Sequence, residues 1–142
     1  PKKSQAVEGA DEELPVSSQV YRYRENMTHW VIIILNDKKM VATQVQYRVA
    51  DFNTANYSNM GYRCSNAFML TDTLQMIAVH QFKNAQEALD YQTHLLLPDG
   101  PLAQFNSDDY TVFTISKQNY TTFCNRKDIE AYRLFFEKYY GK

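Results

Sequence analysis

The spacing of hydrophobic residues changes along the first half of the chain and predicts strands and helices in turn. HWVIIILN, residues 29–36, is apolar on both faces, which is typical of a strand in the middle of a sheet. Upstream of it, VYRY at residues 20–23 predicts a short edge strand. Residues 38–53 predict an amphipathic helix whose inner face consists of Val41, Val45, Val49 and Phe52.

Two further strands and a second helix are predicted in the middle of the chain. Residues 62–70 and 74–82 have the composition of strands, and the short polar turn between them predicts a hairpin. A helix then begins after Asn84, whose side chain is expected to form a capping box with Glu87. A Pro-Asp-Gly-Pro turn ends this helix, and its predicted inward side chains are Ala88, Leu89, Leu95 and Leu96.

The last part of the chain predicts one more strand and two helical segments. Residues 109–115 form the predicted strand, and residues 118–124 form a short helical turn. Residues 128–140 predict a closing helix, since apolar side chains recur there at helical spacing, namely Ile129, Tyr132, Phe136 and Tyr139.

The order of these elements predicts the fold class. It is β-α-β-β-α-β followed by C-terminal helices, the split βαβ or ferredoxin-like pattern. Right-handed crossovers place both main helices on one face of an antiparallel sheet. We therefore predict a single α+β domain over residues 20–142. Residues 1–19 are polar and without hydrophobic period, so we expect a flexible linker from an upstream region.

Composition narrows the class of partner. The 142 residues suffice for one domain with a core, and the net charge of −1 provides no basic field for nucleic acid or anionic membrane. The strand at residues 74–82 also lacks the basic and aromatic residues of RNA-recognition sheets. The longest apolar run, residues 30–35, is too short to cross a bilayer. We expect neither nucleic-acid binding nor membrane insertion by this fragment.

The sequence contains no catalytic or metal-binding motif. The junction at residues 82–84 has no glycine, so its backbone cannot approach a phosphate closely, and we interpret it as architecture. No nucleotide-binding loop or nucleophile motif occurs. The histidines have no metal-ligand spacing and are predicted to be structural: His29, His80 and His94. We predict no catalytic, cofactor or metal site, and hence no enzyme.

The two cysteines give little information about compartment. Cys124 lies beside Arg126 and Lys127, so its thiol is either a reactive group with a lowered pKa or an idle one. In the predicted strand order, Cys64 lies on one sheet edge and Cys124 follows the strand at the other. A disulfide between them is therefore not expected.

One face of the predicted sheet is a candidate interaction surface. The side chains expected to face the two main helices are Val31, Ile33, Leu35, Ile77, Val79, Phe113 and Ile115. The opposite, largely aliphatic face consists of Trp30, Ile32, Ile34, Met76, Ala78, Val112 and Thr114. An uncovered aliphatic face is a partner site or a liability. The aromatic C-terminal helices are its expected cover, with partner binding as the alternative.

Several segments together resemble a domain of Bacteroidetes envelope proteins. They are ADFNTANY (50–57), LQMIAVHQFKNAQEALDYQTHL (74–95), YTVFTISKQNYTTF (110–123) and AYRLFFEKYY (131–140). The chain resembles, over nearly all of residues 20–140, the C-terminal domain that follows tetratricopeptide repeats in lipoproteins of the gliding-motility and type IX secretion kind. The resemblance implies a non-catalytic periplasmic module that binds an envelope protein. It also implies an anchor through an upstream lipoprotein part, in keeping with a chain that opens on Pro1.

A short motif fits the same setting. Asp72-Thr73-Leu74, at the predicted hairpin tip, resembles the O-glycosylation acceptor pattern of that phylum, with Thr73 as the modified residue. A plain β-turn is the alternative interpretation.

The chain also resembles the peptidoglycan-binding SPOR domain, chiefly at VHQFKNAQEALDY, residues 79–91. SPOR domains hold glycan strands on an open sheet face. Here the first strand ends in Leu35-Asn36-Asp37 instead of Gly-Ser-Phe, and the corresponding face is aliphatic. Three interpretations follow: a protein-interaction or scaffold module, which the first resemblance favours; a peptidoglycan-binding module; and an enzyme, which no motif supports.

Overall fold

The computed structural model describes residues 20–141, so the predicted linker at residues 1–19 lies outside the described residues. In chain order the elements are β1 (His29–Asn36), α1 (Ala42–Tyr57), β2 (Arg63–Cys64), β3 (Phe68–Met69), β4 (Leu74–Phe82), α2 (Ala85–Leu95), β5 (Tyr110–Ser116), α3 (Lys117–Arg126) and α4 (Ile129–Tyr139). Within the described residues, no helix is both long and apolar enough to cross a membrane.

The strands form one antiparallel sheet in an α+β fold. Its order is β2–β4–β1–β5, and β3 pairs with β4 beside β2. The predicted central position of residues 29–36 is confirmed, because β1 pairs with β4 on one side and β5 on the other. Ile33, for example, lies between Ile77 and Val112.

Helices α1 and α2 cover one face of the sheet. The sheet contributes Val31, Ile33, Leu35, Ile77, Val79 and Val112 to this core, and the helices contribute Val45, Val49, Ala88, Tyr91 and Leu95. Tyr91 was not among the predicted inward residues of α2, although it follows Ala88 at helical spacing. Leu96, predicted to be inward, is exposed just after the helix ends.

Helices α3 and α4 cover the opposite face, which confirms the predicted C-terminal cover. The sheet residues buried there are Ile32, Ile34, Met76, Ala78, Phe113 and Ile115, and they pack against Phe123, Ala131, Tyr132 and Phe135. Phe136 and Tyr139 pack at the margin of this cluster, and Phe135 takes the deeper position in α4.

The predicted facing of β5 was wrong. Phe113 and Ile115 lie on the α3–α4 side, and Val112 lies on the α1–α2 side. Because side chains alternate along a strand, a shift of one residue exchanges the two faces. The tertiary contacts determine the choice: the hydroxyl of Thr114 donates to Gln92 of α2 at 2.6 Å, so the even-numbered positions face α2.

The first helix was predicted over residues 38–53, and in the structure it begins at Ala42 and ends at Tyr57. Val41 is the N-terminal cap residue and is 60% exposed, while the helix continues to Tyr57. The short edge strand predicted at residues 20–23 does not form, since no strand is assigned there and residues 21–24 contain no regular structure. Tyr21 there is nevertheless buried, since its ring packs 5.0 Å from that of Tyr132.

The predicted strand at residues 62–70 is interrupted. Cys64 pairs with Val79 and Phe68 pairs with Met76, so four steps along this segment match three along β4. One extra residue is the definition of a β-bulge, and it divides the segment into β2 and β3. A side chain of α1 lies at the bulge: Gln46 accepts from the amide of Ala67 at 3.4 Å.

Only half of the predicted capping box at α2 forms. The Asn84 side chain accepts from the Glu87 amide at 2.9 Å, as predicted, and the Ala85 amide donates to the Glu25 carbonyl at 2.9 Å. The Glu87 carboxylate instead accepts from the hydroxyl of Tyr62 at 2.5 Å. Glu87 thus links the start of α2 to the segment that leads into β2.

Candidate functional site

The predicted interaction face is covered by the protein's own helices. Ile32, Ile34, Met76 and Ala78 are buried beneath α3 and α4, and Val112 lies on the other side of the sheet. The reason is the amphipathic character of α4, whose aromatic side chains match the aliphatic sheet. In this arrangement these residues stabilise the fold and are not accessible to a partner.

Trp30 is partly buried at the margin of the same face. Its ring lies 4.7 Å from that of His80 on β4 and 4.3 Å from that of Tyr120 on α3. Its indole Nε1 is shielded from solvent and has no hydrogen-bond partner among the described residues. Trp30 therefore fills the space between α3 and the end of β4.

Thr73 is exposed at the tip between β3 and β4. The Thr71 hydroxyl oxygen accepts from the amides of Thr73 at 3.3 Å and Leu74 at 3.2 Å, which makes a compact turn. The Thr73 side chain is accessible in this turn. Its glycosylation stays a prediction.

His29 is fully buried, and both of its ring nitrogens have structural partners. Nδ1 lies 2.7 Å from the Met27 carbonyl and therefore carries the proton that it donates. Nε2 lies 2.8 Å from the Tyr140 hydroxyl and in neutral histidine accepts from it. Burial lowers the pKa of His29, which favours this neutral form. The side chain ties the end of α4 to the start of β1.

Both cysteines are free thiols within the described residues. Cys64 packs against the α1–α2 core and Cys124 against the α3–α4 core. Burial raises the pKa of Cys64 to about 11. Burial also raises the pKa of Cys124, and this outweighs the lowering effect of Lys127. The idle-thiol interpretation of Cys124 is the one that its surroundings favour.

A cleft of about 370 Å³ lies between the C-terminal half of α1 and the turn that leads into β2. Its lining residues are Ala50, Asn53, Thr54, Tyr57, Ser58, Gly61, Tyr62 and Cys64. Gly61 has a φ of +72°, a left-handed conformation that suits glycine, and it allows the chain to turn from α1 into β2. We call this the α1–β2 cleft and treat it as the candidate site.

The floor of the α1–β2 cleft is polar. The Oδ1 atom of Asn53 accepts from the hydroxyl of Tyr91, which rises from α2 beneath it. The Nδ2 atom of Asn53 is shielded from solvent and lacks a partner among the described residues. Burial raises the pKa of Tyr91, so the phenol remains the donor in this pair.

Two tyrosines form the walls of the cleft. The rings of Tyr57 and Tyr62 are 5.4 Å apart between centroids, and each hydroxyl is tied to α2. Tyr57 lies 2.7 Å from Nδ1 of His94, and Tyr62 donates to Glu87 at 2.5 Å. Burial and then the Glu87 hydrogen bond raise the pKa of Tyr62. Burial and then the charge of Asp90 raise the pKa of Tyr57.

The charged groups that act on the two wall tyrosines of the α1–β2 cleft are carboxylates. The lining residues are all uncharged, Glu87 accepts from the Tyr62 hydroxyl, and the charge of Asp90 adds to burial in raising the pKa of Tyr57. The C-terminal end of α1 carries the negative pole of the helix dipole, and its last turn contains no basic residue. The protonated phenols and the aromatic rings provide hydrogen-bond and ring contacts for a bound group.

Sequence patterns did not identify this cleft. Residues 54–61 lay between the predicted helix and the predicted strand with no element assigned, and Tyr62 was placed in the strand. The visible signal was a concentration of asparagine, serine and tyrosine between a helix and a strand. The partners Glu87 and His94 are 25 and 37 residues further along the chain, so no local pattern joins them to the cleft.

The comparisons with known proteins identify no relative. No family model matches the chain, and neither a curated protein nor a solved structure gives a significant match. Within residues 20–141, no group of three or more His, Cys, Asp or Glu side chains is placed to hold a metal ion.

Proposed function

We propose that this domain is a non-catalytic interaction or scaffold module of a cell-envelope lipoprotein. It acts in the periplasm, is anchored through an upstream part, and serves the type IX secretion or gliding machinery. The proposal takes its biological setting from the segments that resemble tetratricopeptide-repeat lipoproteins.

The observation that carries the interaction function is a row of exposed apolar side chains along one edge of the sheet. Met60, Phe68 and Met69 are 50%, 40% and 48% exposed. They lie in the turn before β2 and on β3, next to the α1–β2 cleft. Exposed apolar side chains concentrated in one region are typical of partner sites. We call residues 60–69 the open edge.

We propose the ferredoxin-like arrangement as the finer description of the fold. The strand order β2–β4–β1–β5, with α1 after β1 and α2 after β4, supports it. In this description β2 and β3 together represent one bulged strand, and α3 and α4 are an added layer on the second face.

Peptidoglycan binding in the SPOR manner is less well supported. SPOR domains hold glycan strands on an open sheet face. Here α3 and α4 cover that face, including Ile32, Ile34 and Met76. A protein partner at the open edge requires no rearrangement of the core. Co-sedimentation of the domain with peptidoglycan sacculi tests this alternative, and binding to denuded glycan would favour it.

The direct test is photo-crosslinking in the native cells. A photoreactive amino acid replaces Met69 or Met60 at the open edge. In a matched control it replaces Leu134, which is 45% exposed on α4. We expect a crosslink to the same envelope protein from positions 69 and 60 and none from position 134. A crosslink from position 134 alone would contradict the proposal. Finding this protein itself in the cytoplasmic fraction would also contradict it.

A further inference from the structure

Two tyrosine rings that contact each other line the α1–β2 cleft. The ring centroids of Tyr57 and Tyr62 lie 5.4 Å apart at a tilt of 48°, so a cation would lie over the ring surfaces that border the cleft and not between the rings. The face of an aromatic ring carries partial negative charge and attracts ammonium or guanidinium groups. Two such rings beside one cleft provide more of this attraction than a single exposed tyrosine.

Carboxylates strengthen this attraction from behind the walls. The Tyr62 hydroxyl donates to Glu87, which places a full negative charge at the outer end of that ring. The charge of Asp90 acts on Tyr57, whose pKa it helps to raise. Both carboxylates come from α2, and both act on the same cleft.

No basic side chain of the protein neutralises the site from within its lining. The lining contains no lysine or arginine, and the last turn of α1 contains no basic residue. Arg63 precedes the lining residue Cys64 on β2, and successive side chains of a strand point to opposite faces. The charge of Arg63 acts on His80, whose pKa is lowered first by burial and then by Arg63.

We infer that the α1–β2 cleft binds the cationic side chain of a lysine or arginine in a segment of the protein partner. This inference rests on the proposed interaction function and names the chemistry of the partner. A volume of about 370 Å³ is near the lower end for ligand sites and suits one long side chain. Glu87 and Asp90 oppose an acidic side chain in the same place.

The test uses short peptides as probes of the purified domain. We would titrate Ac-Gly-Lys-Gly-NH₂ and Ac-Gly-Arg-Gly-NH₂ into ¹⁵N-labelled protein and follow the amide signals. Peptides with norleucine or glutamate in the central position provide matched controls. We expect the cationic peptides to bind about three- to fivefold more tightly than norleucine, with the largest shifts at Ser58, Gly61 and Tyr62. The glutamate peptide is expected to give no saturable shift.

A pair of charge-only variants then assigns the effect to the cleft. Glu87→Gln with Asp90→Asn removes both negative charges but keeps oxygen acceptors for Tyr62 and Gln86. Asp108→Asn with Glu130→Gln changes the net charge equally at other positions. We expect the first pair to abolish the preference for lysine over norleucine and the second pair to leave it intact.

Three results would overturn the inference. They are equal binding of lysine and norleucine peptides, shifts that map outside the α1–β2 cleft, and an unchanged lysine preference in the Glu87→Gln, Asp90→Asn variant. None of these results affects the crosslinking test of the open edge. If crosslinks form there while the peptides fail, the interaction function stands and only the cationic site is rejected. If the peptides bind while no crosslink forms, the cleft is a cation site and the proposed partner surface is wrong.

Discussion

The two edges of the sheet are protected from unwanted strand pairing in different ways. At the β5 edge, helices from both faces supply side chains to the outward-facing carbonyls. Gln92 of α2 donates to Val112 at 3.3 Å, and Tyr132 of α4 donates to Thr114 at 2.7 Å. These groups would otherwise be free to pair with another chain. The β5 edge is therefore part of the packed core.

The open edge is protected by irregularity instead of by packing. A bulge separates β2 from β3, each strand has only two residues, and Gln46 accepts from the Ala67 amide at the long distance of 3.4 Å. Short, bulged edge strands resist strand addition without being covered. The difference shows how a fold can leave one edge accessible for binding while the other contributes to stability.

The largest expected contrast comes from removing an aromatic ring at each edge. Tyr132→Ala leaves a cavity among the buried rings of α4 and removes the donor to Thr114, so we expect a loss of about 3–5 kcal/mol in the free energy of unfolding. Phe68→Ala, at a side chain that is 40% exposed, is expected to cost less than about 1 kcal/mol. Urea unfolding of both variants measures this contrast. Equal losses would show that Phe68 at the open edge contributes as much to stability as the buried Tyr132.

A smaller loss in the free energy of unfolding is expected when the Gln92 side chain, which bonds to the β5 edge, is replaced. Gln92→Leu leaves the buried hydroxyl of Thr114 without its acceptor and the carbonyl of Val112 without its donor. We expect a loss of about 1–2 kcal/mol in urea melts. Gln86→Leu, an exposed position on the same helix, is the control and should change the stability by less than about 0.5 kcal/mol. If Gln92→Leu leaves the stability unchanged, water has replaced the two hydrogen bonds of the Gln92 side chain.

Acid is expected to weaken the contact between His29 and Tyr140. Burial lowers the pKa of His29, so near pH 6.5 the unfolded chain binds a proton that the folded chain does not. The free energy of unfolding should therefore fall as the pH decreases through 6.5 towards the folded-state pKa. Above about pH 7.5 this histidine contributes no pH dependence.

Two variants separate the histidines in that experiment. His80, whose ring packs on Trp30, also has a lowered pKa, due first to burial and then to Arg63. Urea midpoints between pH 5 and 8 should become flatter in His29→Gln and should keep most of their slope in His80→Gln. The reverse result would place the acid-sensitive contact near the open edge.

The smallest effect is expected at the bulge. Gln46→Ala removes two long hydrogen bonds, an exposed one to Asn66 at 3.3 Å and a partly buried one from Ala67 at 3.4 Å. We expect a cost of about 0.5 kcal/mol or less. Amide hydrogen exchange at Ala67 should become about twofold faster, while exchange in β5 stays unchanged. A loss above about 1.5 kcal/mol would mean that Gln46 maintains the bulge.

Long apolar runs were the easiest parts of the fold to predict. Residues 29–36 were placed correctly in the centre of the sheet, because few positions tolerate apolar side chains on both faces. The helix after Asn84 was also recognised from its cap, and the closing aromatic helix from the spacing of its apolar side chains. The position of Tyr91 and the facing of β5 were missed, since tyrosine, threonine and neighbouring apolar residues fit either side of an element.

The candidate site was much harder to predict than the fold. Predictions from the sequence concentrated on the aliphatic sheet face, which α3 and α4 bury. The α1–β2 cleft depends on contacts such as that between Tyr62 and Glu87, which join residues far apart in the chain. Polar and aromatic side chains in a turn do not reveal their partners until the helices have packed.

The sequence by itself determined the order of strands and helices, the central place of β1 and the amphipathic character of α4. These properties follow from the local periods of apolar side chains, which any folded arrangement of the chain must satisfy. Only the tertiary structure decided which face β5 presents to each layer, where the bulge divides β2 from β3, and how Glu87 and Asp90 come to lie behind Tyr62 and Tyr57. These outcomes depend on contacts between residues distant in the chain. Each local pattern allows more than one arrangement, and the arrangement that gives the whole fold the lowest free energy is the one that forms.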